Sequence, residues 1–172
     1  LTAHTFAVSE ALHEQGDVDV QVAMSGVSLR SAQRCLPSLP PCTLVDQGRG
    51  SLGARMLRQI HRARFRQQNK PVIVIGTDLA DLCQNDLRHA IQKLQNQPLV
   101  LGPSADGGYW LLGLSAALTQ QQLDALFAAV PWGSNKVLDI TCARARGLGL
   151  TPHLLSMKND IDCLADLHSW QR

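Results

Sequence analysis

Aromatic residues are scarce in this sequence. Phe, Trp and Tyr make up 4% of the 172 residues, too few for the stacking platform on which single-stranded nucleic acid binds. Charge of either sign is also in short supply. With 17% charged residues and a net charge of +2, nothing in the bulk electrostatics draws nucleic acid or an anionic membrane to the chain. No run approaches the roughly 20 apolar residues of a membrane-spanning helix, and no secretory leader is visible. The five cysteines (Cys35, Cys42, Cys83, Cys142 and Cys163) contain no CxxC pair. An odd, scattered set suits reduced thiols better than a disulfide framework or a zinc site, which points to the cytoplasm and disfavours a Cys35–Cys42 bridge. The six histidines form no HExxH motif. There is no GxSxG elbow, and Ser104 has no evident base, so neither a zinc protease nor a serine hydrolase is supported.

What is present is the composition of a folded domain, with 45% apolar residues in a length that suits one substantial core. Strand-like and helix-like segments alternate throughout. LTAHTFAVSEALHEQG reads as a helix with Leu1, Thr5, Val8, Ala11 and Leu12 near one face, and VDVQVAM as a strand. SLRSAQRCL is a short helix with Ser28 as its cap, followed by a Pro-rich loop and the strand CTLVDQ. In GRGSLGARMLRQIHRARFRQQ, Leu52, Met56, Ile60 and Ala63 recur at helical spacing, with arginines on the opposite face. PVIVIG is a continuous β-branched run of the kind found in buried parallel strands. NDLRHAIQKLQ is a helix with Asn85 as candidate cap, PLVLG and GGYWLLGL are strands, and LTQQQLDALFAAV and SNKVLDITCARARGLG are helices. TPHLLSM is a last strand before a short helix in DCLADLHSWQ. Strands separated by helices predict an α/β fold with a mainly parallel sheet covered on both faces.

In such sheets ligands collect at the carboxyl ends of the strands. Asp78 lies just past the strand that ends at Ile75, with Gly76 permitting the exit and Thr77 able to satisfy a loop group. A carboxylate there suits Mg²⁺ or Mn²⁺, which prefer oxygen ligands; a loop aspartate or a helix cap is the plainer reading. Asn159, Asp160 and Asp162 follow a late strand. Asp162 can cap the final helix, or it can share a cation with Asp78. The loop GPSADGGYW carries Asp106, Gly107 and Gly108, and serves either a close backbone approach to a ligand or a hairpin turn. The three glycines of QGRGSLGAR feed a helix whose amides could meet an anion, although the pattern is neither GxxxxGK[ST] nor GxGxxG.

Taken in order, QGRGSLGARM, IGTDLADL, LVLGPSADGGYWLLGL, PWGSNKVL and NDIDCLADL resemble a bacterial family of glycosyltransferase-A-like proteins. This family is known as DUF2064 or as arsenosugar-biosynthesis-type glycosyltransferases. It is similar in fold to the nucleotidyltransferases that make molybdenum-cofactor dinucleotides and phospholactate guanylyl adducts. The resemblance runs from Leu1 almost to Arg172. It implies one domain over residues 1–172, a three-layer α/β/α fold of nucleotide-diphospho-sugar transferase (GT-A) type. It also implies that Asp78 of IGTD, beside Thr77, takes the metal-binding place. Asp160 matches the first aspartate of the family's DVDT segment as a second ligand, with Asp162 beside it. The DGGY loop, here Asp106, Gly107, Gly108 and Tyr109, would face the sugar or acceptor, with Asp106 the candidate base. The QGxGDLGxRM loop would place Gln47, Gly48, Gly53 and Arg55 near the nucleotide, and PWS[TS] matches Pro131, Trp132 and Ser134.

The departures from the family pattern also carry expectations. Arg49 and Ser51 replace acidic residues, CPDL has become LADL, and DTPEDL has become DCLADL. The family's opening strand and its PxPGxxKTRL phosphate loop have no counterpart here, so the domain is expected to lack them. The function implied is a metal-dependent transferase that uses a nucleotide or nucleotide-sugar donor, most simply a glycosyltransferase acting on a small-molecule acceptor. Nucleotidyl transfer of guanylyl or cytidylyl type, or a diverged non-catalytic member of the fold, are the alternatives. The oligomeric state stays open.

Overall fold

Short β-branched or leucine-rich runs form the strands, and stretches with helical periodicity form the helices that cover them. The structure, a computed structural model, describes residues 1–35, 43–68 and 70–159. Cys42, Asp160, Asp162, Cys163 and the expected final helix lie outside these residues. In chain order the elements are α1 (Thr2–Glu14), β1 (Gln21–Met24), α2 (Leu29–Cys35), β2 (Thr43–Asp46), α3 (Leu52–Arg66) and β3 (Val72–Ile75). They continue with α4 (Gln84–Leu94), β4 (Leu99–Pro103), β5 (Tyr109–Leu114), α5 (Gln120–Phe127), α6 (Val137–Gly147) and β6 (Pro152–Leu154). Among the described residues no helix is long and apolar enough to cross a membrane.

Caps set several of these boundaries. Ser51 accepts the Ala54 amide at 3.3 Å and starts α3. Thr119 and Gln122 cap α5 reciprocally, at 3.2 and 2.9 Å. Ser28 accepts the Ser31 amide at 3.1 Å, as its sequence position predicts. At α4 the boundary differs from the expected Asn85: the cap is Cys83, whose amide donates to the Asp86 carboxylate at 2.9 Å. A side chain three residues into the helix can reach back to the cap amide, and Asp86 does so.

The strands form a parallel pair, β1–β2, and a four-stranded sheet in the order β3-β5-β4-β6. β4 and β6 are parallel, whereas β5 runs antiparallel to both β3 and β4. The sheet is therefore mixed, and the reversed strand comes from the Asp-Gly turn, which makes the hairpin reading of that loop correct. Alternation along the strands divides the core between two faces. Leu99, Leu101, Leu112 and Leu114 pack with Ile60 of α3, Leu123 and Phe127 of α5 and Cys142 and Ala145 of α6. Val100 and Leu111 pack on the other face with Val8 and Leu12 of α1 and Leu87, Ala90 and Leu94 of α4. The result is the three-layer α/β/α arrangement. Leu99, Leu101, Leu111 and Leu114 are fully buried, each contributing roughly 1.5–3 kcal/mol of transfer free energy.

β3 is less enclosed than β4 or β5. All four of its residues are half-buried, whereas every residue of β4 is buried. Among the described residues β3 pairs only with β5, and β1 only with β2. A Lys70–Asp19 ion pair at 3.4 Å joins the leading ends of β1 and β3. Val18, next to β1, shares its core cluster with Ile73 and Ile75. α3 packs on β3 through Ile60, while its Gln59 reaches Gln21 of β1 at 3.4 Å. Among the described residues, two unpaired strand edges thus sit beneath α3.

In an antiparallel ladder, successive residues direct their amides to opposite edges. Gly76 donates to the Trp110 carbonyl at 3.3 Å, so Val74 also faces β5 and Ile73 and Ile75 face the unpaired edge. Hydrogen exchange followed by NMR is expected to be faster at Ile73 and Ile75 than at Val74 and Gly76. Equal protection at all four amides would mean that a strand occupies this edge.

Candidate functional site

The loops singled out in the sequence leave the strands at one rim. β2 ends at Asp46, which is in register with the last residue of β1, Met24. β3 exits through Gly76 opposite Trp110, near the start of β5. The β4–β5 turn over Ser104 to Gly108 closes at the same end, where Pro103 pairs with Tyr109. The rim therefore carries Gln47, Asp78 and Asp106 on three loops at the carboxyl ends of β2, β3 and β4.

The first loop is shaped by side chains of the helix that follows it. Gln47 accepts from Arg55 Nη1 at 2.8 Å and donates from Nε2 to the Ala23 carbonyl at 3.2 Å. Arg58 donates to the carbonyls of Gln47 and Arg49 at 2.6 and 2.9 Å, and Arg62 to that of Asp46 at 2.9 Å. Gln59 also donates to the Asp46 and Gln47 carbonyls, at 3.1 and 3.2 Å. With its carbonyls drawn toward α3 and Gly48 in the left-handed region at φ 76°, the loop is held in one shape. Arg55 Nε is buried without a hydrogen-bond partner among the described residues.

Two glycines let separate loops touch. A Cβ on Gly53, at the start of α3, would overlap the Trp132 indole. Trp132 in turn meets Tyr109 edge-on at 6.4 Å between centroids and Phe127 at 5.6 Å. A Cβ on Gly107 would overlap the backbone carbonyl of Asn135, and Gly107 accepts the Leu138 amide at 3.0 Å. The PWGSN segment is thereby wedged between the QGRGSLG loop and the DGGY loop. Burial raises the Tyr109 phenol above its ordinary value, so that hydroxyl stays protonated at neutral pH.

Asp78 is exposed, and its carboxylate is engaged only by Thr77 Oγ1 at 3.4 Å, with no ion pair among the described residues. The Thr77 carbonyl accepts from Thr5 of α1 at 3.4 Å. Asp106 is exposed too and folds back to accept the Gly108 amide at 2.9 Å, an Asx turn. No group of three His, Cys, Asp or Glu side chains able to hold a metal occurs among the described residues; Asp160 and Asp162 lie outside them. An open carboxylate with spare lone pairs fits Mg²⁺ or Mn²⁺, which are held by one or two carboxylates together with substrate phosphates and waters.

Several residues that organise the rim escaped the sequence reading. The arginines of α3 read as a solvated face, yet Arg58 and Arg62 fasten the preceding loop. Lys158, which no sequence pattern marks, has a side chain that is 11% exposed and contacts Asp86 at 2.9 Å and Asp81 at 3.3 Å. The spacing of these residues across the sequence left no local signal. Burial alone would raise Asp86, but bonds from the Cys83 amide and from Lys158 outweigh it and hold the carboxyl below its ordinary value.

The family described as an uncharacterized protein conserved in bacteria (DUF2064) matches residues 8–134. No curated protein matches the sequence. Among solved structures, the chain is similar to a protein from Desulfovibrio desulfuricans G20 that is provisionally named a nucleotide-diphospho-sugar transferase. The TM-score is 0.81 at 24% identity, covering 97% of this chain and 72% of that one. It is also similar to 4-diphosphocytidyl-2C-methyl-D-erythritol synthase, with a TM-score of 0.65 at 14% identity over 95% of this chain and 84% of the other. A CMP:2-keto-3-deoxy-manno-octonic acid synthetase complexed with CTP gives 0.60 at 12% identity, covering 96% and 84%. At these identities the likeness establishes the fold, which is of the nucleotide-diphospho-sugar transferase type.

Two measurements follow from the geometry. Gly107→Ala adds a left-handed strain to a backbone overlap and is expected to cost ~2–4 kcal/mol. Gly133→Ala, at φ 83° with nothing within 4 Å, carries only the strain, ~1 kcal/mol. Similar losses in urea denaturation would show that the DGGY loop does not rest on Asn135. A lowered native pKa contributes stability at pH above the unfolded value of about 3.9, and that stability is lost as pH falls through the native value. Asp86→Asn is therefore expected to be less stable than wild type at pH 7, with the gap closing in acid. A gap that is unchanged down to pH of about 2 would rule out a lowered Asp86, since both states are then protonated.

Proposed function

This chain belongs to the DUF2064 family, and on that premise we propose that it transfers a group from a nucleotide-activated donor to a small-molecule acceptor. Transfer of a glycosyl group is the favoured form. The observation that carries the reading is the meeting of the motif-bearing loops at one rim, with the open Asp78 carboxylate among them. The name of the Desulfovibrio protein supports the same choice. In this reading Gln47, Gly48, Gly53 and Arg55 receive the nucleotide. Gly107, Gly108, Tyr109 and Trp132 wall the sugar or acceptor, Thr77 orients Asp78, and Asp106 accepts the acceptor's proton.

Asp78, with Asp160 and Asp162, would hold Mg²⁺ or Mn²⁺, and the bound cation would neutralise charge on the diphosphate leaving group. The rest is placement, which suits a site built from rigidly packed loops. The edges of β1 and β3, unpaired among the described residues, support a further part of the reading, that another strand completes the sheet of this domain. A second form is nucleotidyl transfer, with attack at the α-phosphorus. The names of the two cytidylyl-type neighbours favour it.

Calorimetry with UDP-, GDP- and CTP-type ligands, with and without Mn²⁺, tests the proposal. Mn²⁺ is expected to tighten nucleotide binding to the wild type at least tenfold, about 1.4 kcal/mol, and to have no such effect on Asp78→Ala. A wild type that binds no nucleotide under either condition defeats the transferase reading and leaves a non-catalytic member of the fold. Where turnover is seen, an acceptor carrying the donor's sugar identifies glycosyl transfer, and one carrying the nucleotide identifies the second form.

A further inference from the structure

Lys158 belongs to no motif, yet it is bonded to two of the rim loops. It lies four residues beyond β6, where the chain turns across the end of β4. Its amide donates to the Pro103 carbonyl at 3.0 Å, and its carbonyl accepts the Ala105 amide at 3.1 Å. These bonds attach the Lys158 backbone to both sides of Ser104, directly before Asp106. The side chain runs the other way. Nζ meets Asp86 Oδ2 at 2.9 Å, Asp81 Oδ2 at 3.3 Å and the Asp81 carbonyl at 3.1 Å. It also lies 5.6 Å from the centroid of the Trp110 ring, whose Nε1 donates to the Ser156 carbonyl at 3.3 Å. Asp81 sits three residues after Asp78 in the same loop, and Asp86 fixes the end of that loop by capping α4.

One residue thus fastens the Asp78 loop with its side chain and the Asp106 loop with its backbone. Neither loop has another described ion pair. A charge this enclosed is costly unless it is paired and hydrogen-bonded, and here the partners leave it one seat. The ammonium cannot move without leaving Asp81 uncompensated. Asp81 Oδ1 is already buried without a hydrogen-bond partner.

We propose that Lys158 is a positioning residue that sets the separation of the Asp78 and Asp106 loops by seating one ammonium on Asp81, Asp86 and the face of Trp110. Its functional consequence rests on the reading of Asp78 as a metal ligand; its structural core does not. Lys158→Met keeps much of the stem's packing and removes the charge, whereas Lys158→Arg keeps a cation that can reach both carboxylates.

The test compares these variants with wild type by hydrogen exchange and by Mn²⁺-dependent nucleotide binding. In Lys158→Met the amides of Cys83 and Ala105 are expected to exchange at least about fivefold faster, while those of β1, β2 and α3 stay within about twofold of wild type, as for a local opening. Lys158→Arg should restore most of that protection. Unchanged exchange at Cys83 and Ala105 in Lys158→Met overturns the proposal. So does a uniform rise across the chain in both variants, which would mark Lys158 as a general stabiliser. Should Lys158→Met fail to fold, Asp81→Asn, which leaves the α4 cap intact, must loosen the same two amides or the proposal falls. In the binding arm, Lys158→Met should lose most of the enhancement by Mn²⁺ and Lys158→Arg should recover it. A wild type without that enhancement defeats the functional reading alone, and the exchange data then decide the positioning role.

Discussion

Strand β5 is hydrogen-bonded along both edges, to β3 on one side and β4 on the other, and it joins the two strands from which the Asp78 and Asp106 loops leave. Its residues Trp110 to Leu114 are all buried. Leu112 and Leu114 fill one face, and Leu111 fills the other. A shift of one residue in its register would turn each of these side chains to the opposite layer, so packing on both faces locks the alignment. With the register locked, the ends of β3 and β4 are brought to a common rim, and Asp78 and Asp106 arrive there together.

Above the sheet, close backbone contact replaces polar bonding as the organising force. Gly53 admits the Trp132 indole and Gly107 admits the Asn135 carbonyl, so three loops that are far apart in sequence rest on one another. Several loop carbonyls and carboxylates are bonded from the flanks, by Arg58, Gln59 and Arg62 on one side and by Lys158 on the other. The carboxylates of Asp78 and Asp106 themselves are left nearly free. Asp78 has Thr77 and Asp106 has its own turn, while the stronger pairing is spent on their neighbours. Rigidity comes from the surroundings, and the two carboxylates stay open.

Much of the architecture was legible in local pattern. PLVLG and GGYWLLGL were readable as strands because leucine-rich runs of that length bury themselves on both faces; PVIVIG is a strand too, but its β-branched run suggested a buried parallel strand, whereas β3 is half-buried and pairs antiparallel with β5. The amphipathic period of α3 and α4 marked their buried sides. The Asp-Gly pair in the β4–β5 loop allowed both a ligand approach and a hairpin, and hairpin pairing made β5 antiparallel. The α4 cap was placed two residues late, because Asn85 looks like a capping residue while the bond is made by Asp86 reaching back to Cys83. The bonding of the α3 arginines was hidden for a related reason. Guanidinium groups read as surface charge in a helical pattern, and the carbonyls they serve belong to a loop whose shape the pattern does not encode.

The sequence by itself determined the layers of this protein, the order of its elements and the family to which it belongs, since these follow from hydrophobic period, turn chemistry and ordered motifs along a single chain. It also singled out Asp78 and Asp106 as carboxylates at strand ends. Only the tertiary structure decided which groups surround them. Gly53 meets Trp132, Gly107 meets Asn135, and Lys158 meets Asp81 and Asp86 across more than 70 residues. Such pairings depend on where the sheet brings distant loops, and a local pattern carries no record of that distance.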